Sequence, residues 1–204
     1  MFFMKESTFY KFIKSIFAPI LSIFWKIEVH GSENIPQEGK FILCSNHISN
    51  MDPILLDMVF RRQIFFMAKE ELFKNKLFGN FIKKLGAFPV KRGKGDIGAL
   101  NLAKKILENG NILGIFIEGT RSKTGELLKP KPGAVILANE TKSKILPVCI
   151  KSASGIKVRM FKKVIINIGE SIEPTDLGIV SGKSVEIRSA SRFVMDKIAE
   201  LKSM

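Results

Sequence analysis

Short apolar runs alternate with helical patterns over most of the chain. Six runs have the length and composition of buried strands, and they occupy residues 41–44, 64–68, 87–90, 112–117, 145–150 and 164–168. Between two of them, apolar side chains recur every three or four positions, as on one face of a helix: Leu72, Phe73, Leu77, Phe81, Ile82 and Leu85. Strands that alternate with helices predict an α/β fold, in which a mixed, mostly parallel sheet is flanked by helices on both faces.

The ends of the predicted helices carry recognisable signals. Gly86 follows the apolar stripe, as a glycine often does at the carboxyl end of a helix. Asp96 is a suitable N-cap for a helix that closes at Asn109-Gly110. Two further helices are predicted at 134–140, after a Lys-Pro-Lys-Pro-Gly loop, and from 184 to about 201.

The first 28 residues have a different character from the rest. Their apolar core at 15–25 is well short of the roughly 20 residues that a spanning helix needs, and no small-residue cleavage site follows it. Aromatic side chains, nearby lysines and Pro19 predict instead an interfacial membrane helix in one leaflet, with the lysines at the headgroups. The side chains expected to face the acyl chains are Phe12, Ile16, Ile20 and Phe24. A helix packed on the domain is the alternative interpretation.

Length and charge limit the possible partners. The chain has 204 residues, enough for one domain, which we place at 29–204 after a membrane-associating segment at 1–28. Its net charge of +14 favours anionic partners: nucleic acid, anionic lipid, acidic carrier proteins or phosphorylated substrates. The basic residues are scattered and no nucleic-acid-binding motif accompanies them, so nucleic acid is not expected. Cys44 and Cys149 lack metal-ligand spacing and are expected to be buried free thiols.

A histidine and a carboxylate follow the first predicted strand in one loop. His47 and Asp52 could form a general-base pair, in which the carboxylate fixes the imidazole tautomer and leaves the other nitrogen free to take a proton. Asp52 could equally be only the N-cap of a helix that begins at Pro53, with His47 an ordinary loop residue. Glu118 also directly follows a predicted strand, and ligands of such sheets bind beyond the carboxyl ends of the strands.

Four sequence blocks resemble the glycerolipid acyltransferases. The first is His47-x-x-x-x-Asp52 and the third is Glu118-Gly119-Thr120-Arg121, while residues 86–93 and 145–148 resemble the second and fourth. The blocks occur in the family's order over roughly residues 40–150. One departure is Ile117, where the family usually has proline before the glutamate.

The resemblance implies an enzyme that moves an acyl chain from a thioester to the sn-2 hydroxyl of 1-acylglycerol-3-phosphate, giving phosphatidate. It implies that His47 is the base, that Asp52 orients it, and that a second group of residues binds the substrate: Arg92, Glu118, Gly119, Thr120 and Arg121. The two arginines would hold the phosphate, while Glu118 would pair with an arginine or bind a substrate hydroxyl. Backbone amides at the start of the helix near 52–53 are candidates for an oxyanion hole.

The same resemblance implies acyl-carrier protein or acyl-CoA as the donor, lysophosphatidate as the acceptor, and no metal or bound cofactor. The enzyme would work on an anionic membrane surface, at the cytoplasmic face of the cell membrane. A related acyltransferase that acts on glycerol-3-phosphate or another lysolipid is the nearest alternative. A non-catalytic membrane-binding or nucleic-acid-binding protein is a further alternative, but it would not need His47 and Asp52 together.

Overall fold

A seven-stranded sheet organises the chain. A computed structural model describes residues 8–91, 96–153, 155 and 158–204. The strands are β1 Lys26–His30, β2 Phe41–Ser45, β3 Ile64–Lys69, β4 Ala87–Val90, β5 Ile112–Phe116, β6 Lys144–Ser152 and β7 Lys163–Ile168. The α-helices are α1 Thr8–Phe24, α2 Asp52–Val59, α3 Lys76–Lys84, α4 Ile97–Glu108, α5 Gly133–Thr141 and α6 Ser184–Ser203. Single 3₁₀ turns occupy Ser32–Asn34, Glu70–Phe73 and Pro174–Leu177.

The strands lie in the order β1-β7-β6-β2-β5-β3-β4, and the sheet is mostly parallel as predicted. The five strands from β6 to β4 all run the same way. β7 is antiparallel to β6, and β1 is parallel to β7, so these two strands run in the opposite direction. The prediction omitted β1 because its polar positions, Lys26, Glu28 and His30, leave only two apolar residues in alternation.

Helices cover both faces of the sheet. On one face, β-strand side chains pack with the apolar residues of α4, α5 and α6. On the other face they pack with α2 and the carboxyl end of α1. Cys44 and Cys149 are buried free thiols, as expected, and burial raises the pKa of both. The mixed, mostly parallel sheet with helices on both faces is therefore confirmed.

Most of the predicted helix signals are confirmed. The Asp96 side chain accepts the backbone N–H of Ala99 at the start of α4. Gly86 and Gly110 both have positive φ directly after helix ends. The stripe from Leu72 to Leu85 is split, however: a 3₁₀ turn precedes α3, and Asn75 caps α3 by accepting the N–H of Phe78.

The amino-terminal helix α1 contains Pro19 and leaves five large apolar side chains exposed. Within the described residues, no helix is both long and apolar enough to cross a membrane. Two details of the prediction are wrong. Phe24 packs against the protein next to Trp25, and Lys14 binds the domain: its Nζ lies 2.5 Å from the carbonyl oxygens of Asp57 and Phe60.

A polar contact fixes α1 on α2. The buried Tyr10 hydroxyl donates to Asp57 Oδ1 at 2.8 Å, and Lys14 Nζ lies 3.7 Å from Asp57 Oδ2. Burial raises the pKa of Asp57, and Lys14 and Tyr10 oppose that rise. The alternative interpretation, a helix packed on the domain, is thus correct for one side of α1, while the other side faces outward.

Candidate active site

His47 and Asp52 form a close, buried pair at the carboxyl end of β2. His47 Nδ1 lies 2.7 Å from Asp52 Oδ2, and both side chains are buried. Because an ionised carboxylate only accepts hydrogen bonds, Nδ1 carries the hydrogen and the lone pair is at Nε2. Among the residues that the structure describes, none is bonded to Nε2. The arrangement suits an imidazole that takes a proton at Nε2.

Asp52 organises the loop that carries His47. Its Oδ2 also accepts the backbone N–H groups of Ile48 and Ser49, each at 2.7 Å. Asp52 is the first residue of α2, and Met51 is the N-cap without a side-chain bond. The alternative interpretation of Asp52 as only a helix N-cap is therefore wrong, because its carboxylate turns back to the loop.

Glu118 lies beside this pair, since β5 and β2 are neighbours and both end at the same edge of the sheet. Its Oε1 accepts the backbone N–H of His47 at 3.4 Å, while its Oε2 is buried without a partner among the described residues. Burial is the main cause that raises the pKa of Glu118, to about 7. The backbone N–H groups of His47 and Leu128 lower it, Asp52 raises it and Lys202 lowers it.

The turn after β5 is tied to the His47 loop by backbone bonds. The Ser122 N–H donates to the His47 carbonyl at 2.8 Å, and the Ile117 N–H donates to the Ser45 carbonyl at 3.1 Å. The Ile117 bond shows the effect of having isoleucine where the family usually has proline. Proline has no N–H, so isoleucine adds a bond between the ends of β5 and β2 that the usual family residue lacks.

The other predicted substrate-binding residues lie on the outside of this turn. Gly119, Thr120 and Arg121 are exposed, and Gly119 has a φ of +70°, which favours glycine. Arg121 directly precedes Ser122, whose backbone N–H is bonded to the His47 carbonyl, so the Arg121 backbone adjoins the loop of the pair. Arg92, the other predicted phosphate ligand, lies outside the described residues.

Two residues of the site were not identified from the sequence. The Phe116 ring stacks on the His47 imidazole, with centroids 3.9 Å apart and an angle of 13° between the planes. The Asn46 amide makes two bonds to the backbone of Ile150, donating to its carbonyl and accepting its N–H. Asn46 could have been noticed as a buried amide directly before His47, but the stacking of Phe116 carries no signal in the sequence.

The backbone amides closest to Asp52, which were candidates for an oxyanion hole, already have partners in the loop. The backbone N–H groups of Met51 and Asp52 are bonded to Ser49, at 3.1 and 3.3 Å. Those of Ile48 and Ser49 are bonded to Asp52, and Pro53 has none. These amides at the start of α2 are engaged in the loop itself.

A sequence model of the family described as "Acyltransferase" matches residues 26–151. The chain belongs to the acyltransferase family. The matched range of this acyltransferase begins at the first residue of β1 and contains the His47-Asp52 pair and the Glu118 turn.

Relatives of this acyltransferase have a common name. The 1-acyl-sn-glycerol-3-phosphate acyltransferase of Bacillus subtilis (strain 168) is 34% identical over 197 residues, covering 95% of this chain and 97% of the relative. The protein of that name from Streptococcus pneumoniae (strain ATCC BAA-255 / R6) is 28% identical, with coverage of 89% and 69%. The crystal structure of the 1-acyl-sn-glycerophosphate (LPA) acyltransferase, PlsC, from Thermotoga maritima is similar with a TM-score of 0.71 and 30% identity, covering 96% of this chain and 80% of that one.

Proposed function

We propose that this acyltransferase transfers an acyl chain from a thioester to the sn-2 hydroxyl of 1-acyl-sn-glycerol-3-phosphate, giving phosphatidate for phospholipid synthesis. The observation that carries the proposal is the 2.7 Å contact of His47 Nδ1 with Asp52 Oδ2, at the carboxyl edge of the parallel strands. The names of relatives that align over nearly the whole chain support the choice of acceptor.

In the proposed reaction, His47 Nε2 takes the proton of the acceptor hydroxyl while that oxygen attacks the thioester carbonyl. The tetrahedral intermediate then expels the thiolate, which receives the proton from the imidazolium, so the products are the new ester and a free thiol. Asp52 keeps the hydrogen on Nδ1 and stabilises the imidazolium. Base catalysis of this kind typically contributes about 10²–10⁴-fold, and positioning of the two substrates supplies much of the rest.

The phosphate of the acceptor is assigned to Arg121 and Arg92, because a guanidinium donates two parallel hydrogen bonds to a phosphate. Glu118, Gly119 and Thr120 belong to the same proposed site through the turn after β5. Glu118 touches the His47 backbone, so it holds the base in place as well as facing the acceptor. The donor is acyl-carrier protein or acyl-CoA, and a chain of net charge +14 suits both, since each carries negative charge.

The acceptor is a membrane lipid, and the proposed site of action is the cytoplasmic face of an anionic membrane. The proposed anchor lies within the segment 1–28 and has α1 as its described helix. The predicted boundary to the acyltransferase domain at 29–204 cuts through β1, because the sheet of the domain already includes Lys26. Exposed apolar side chains along α1 support the anchor: Phe12, Ile16, Phe17, Ile20 and Ile23.

The decisive experiment measures thiol release by the purified full chain. Both donors are crossed with lysophosphatidate, glycerol-3-phosphate and an uncharged lysoglyceride, and the product is identified by mass. We expect turnover with lysophosphatidate and a loss of at least about 10²-fold in His47→Ala. Turnover that is equally fast with the uncharged lysoglyceride, or an active His47→Ala protein, would overturn the proposal.

A further inference from the structure

Helix α3 is amphipathic, but its apolar side faces away from the protein core. A surface helix normally turns its apolar side to the core, yet the apolar side of α3 faces outward. Leu77 is 87% exposed, Phe78 is 48% exposed and Phe81 is 38% exposed. Phe81 is one turn away from both of the others, at i+4 from Leu77 and i+3 from Phe78, so the three form one apolar side. The buried residue of α3 is Gly79, on the opposite side, where an added Cβ would come within 2.9 Å of the Phe73 backbone. The helix thus packs on the protein through the side that carries Gly79, and its apolar side faces outward.

Lysines surround this apolar side. Residues 69–84 contain five lysines and two glutamates, and one of these, Glu70, lies 3.8 Å from Lys91. Lys83 lies over the Phe73 ring and Lys84 over the Phe9 ring, so their charges sit beside the aromatic surface. An apolar patch with a positive rim matches the boundary of an anionic bilayer, where acyl chains lie below negative headgroups. A second copy of the chain would bring the same lysines together and is disfavoured by their repulsion.

The patch on α3 continues the exposed surface of α1. The rings of Phe9 and Phe81 meet edge to face with centroids 6.4 Å apart. From this contact the exposed apolar side chains of α1 continue along the side of the helix that faces away from α2. The two helices therefore present one connected apolar surface rather than two separate patches.

The direction of α3 relates this surface to the active site. The helix joins β3 to the parallel strand β4, so it starts at the edge where the strands end and returns to the other edge. Leu77 and Phe78, at its start, lie at the end of the sheet that holds His47 and Glu118, together with the exposed Leu72 of the preceding 3₁₀ turn.

From these observations we infer that α3 is a second lipid-docking element, which places Leu77, Phe78 and Phe81 at the headgroup boundary of an anionic bilayer. The docking of α3 turns the carboxyl edge of the sheet toward the lipid surface, while α1 alone would leave the domain free to tilt about one helix. This inference goes beyond the proposed reaction, and vesicle binding tests it without any turnover.

The first test places a probe on the patch. The native thiols are buried, so Leu77→Cys in the full chain can be labelled selectively with an environment-sensitive fluorophore. The matched control is Val180→Cys, which is 93% exposed and lies next to residues that pack on the opposite face of the sheet. With phosphatidylglycerol vesicles we expect a blue shift at position 77 and none at 180. A protein that binds the vesicles without a shift at 77 would overturn the inference.

The second test removes the apolar patch. The double variant L77E/F78E should bind phosphatidylglycerol vesicles at least about tenfold more weakly than wild type, whereas Val180→Glu should bind like wild type. Both variants should keep their activity on dispersed short-chain acceptor, because neither touches the proposed site. Docking of α3 on lipid would be contradicted if L77E/F78E bound the vesicles as tightly as wild type. It would also be contradicted if the variant lost activity on the dispersed acceptor, or if protein concentration alone shifted the probe.

Discussion

At the scale of single residues, Asp52 combines two tasks that are often divided between side chains. Its Oδ2 accepts three N–H groups, one from the imidazole and two from the backbone of the same loop. The group proposed to orient the base therefore also shapes the loop in which the base lies. A change at Asp52 should alter stability and rate together, while a change at His47 should alter mainly the rate.

Asp52→Asn tests this combination. The amide keeps an acceptor oxygen but loses the charge and one carboxylate oxygen, so we expect the free energy of unfolding to fall by about 1–3 kcal/mol. The turnover number should fall more steeply, because the tautomer of His47 is no longer enforced. Urea unfolding and the thiol-release assay measure the two effects, with His47→Ala as the control for rate loss without comparable destabilisation. An Asp52→Asn protein with normal turnover would contradict the assigned role.

Arg121→Ala tests the phosphate assignment. Arg121 is exposed and belongs to the turn bonded to His47, so its loss should disturb binding and leave the fold intact. We expect the KM for lysophosphatidate to rise about tenfold or more and the KM for the donor to change little, with partial rescue by Arg121→Lys, which lacks the planar fork. A rise confined to the donor KM would assign Arg121 to the donor instead.

Glu118 predicts a pH dependence of stability. Its pKa is raised from 4.5 to about 7, so between these values the folded protein binds a proton that the unfolded chain has released. The contribution of Glu118 is therefore largest below pH 4.5 and is lost as the pH rises through about 7, a fall on the order of 3 kcal/mol. Urea unfolding at pH 5 and pH 8 should show this fall in wild type relative to Glu118→Gln. An identical pH dependence in both proteins would mean that Glu118 is ionised throughout.

At the scale of elements, the two sides of α1 have different surroundings. Tyr10 and Lys14 bind Asp57 and fix one side to α2. The other side carries Phe12 and Ile23, which are 60% and 71% exposed and so contribute little to packing on the domain. Stability should depend on the first side, and lipid binding on the second.

Paired substitutions separate these two sides. Replacing both Phe12 and Ile23 by serine should leave the free energy of unfolding within about 0.5 kcal/mol of wild type and weaken binding to neutral vesicles about tenfold. Tyr10→Phe should do the reverse, lowering stability by about 1 kcal/mol through the lost bond to Asp57. Co-sedimentation and urea unfolding of the same samples compare the variants. Unchanged vesicle binding of the serine variant would exclude these side chains as the anchor.

The sequence predicted those parts of the site that depend on local order along the chain. The strands that end at His47 and Glu118 were visible as apolar runs, and neighbouring parallel strands bring their ends together. What could not be predicted depends on contacts across the sheet, such as the stacking of Phe116 on His47. The orientation of Lys14 was missed for the same reason, since its partners Asp57 and Phe60 are more than forty positions away.

At the scale of the whole molecule, the charge of +14 acts together with the exposed apolar surface. Long-range attraction to anionic lipid is screened by salt, with a Debye length of ~10 Å at 0.1 M, whereas apolar contact is not. Binding to the membrane should therefore have one component that depends on salt and one that does not.

A salt titration separates the components. Binding of the full chain to phosphatidylglycerol vesicles should weaken steadily as sodium chloride is raised and then reach a plateau, and binding to phosphatidylcholine vesicles should stay near that plateau at every salt concentration. Co-sedimentation provides the measurement. Complete release from phosphatidylglycerol at high salt would show that charge alone holds the protein on lipid.

The reversed direction of β1 and β7 decides at which edge of the sheet helix α1 ends. Because β1 runs against the five parallel strands, its first residue lies at the edge where those strands end, and α1 arrives there just before it. Had β1 run with them, α1 would finish at the far edge, a full strand length from His47. A single reversal in the sheet thus brings the carboxyl end of the amino-terminal helix to the same edge of the sheet as His47, three strands away from β2.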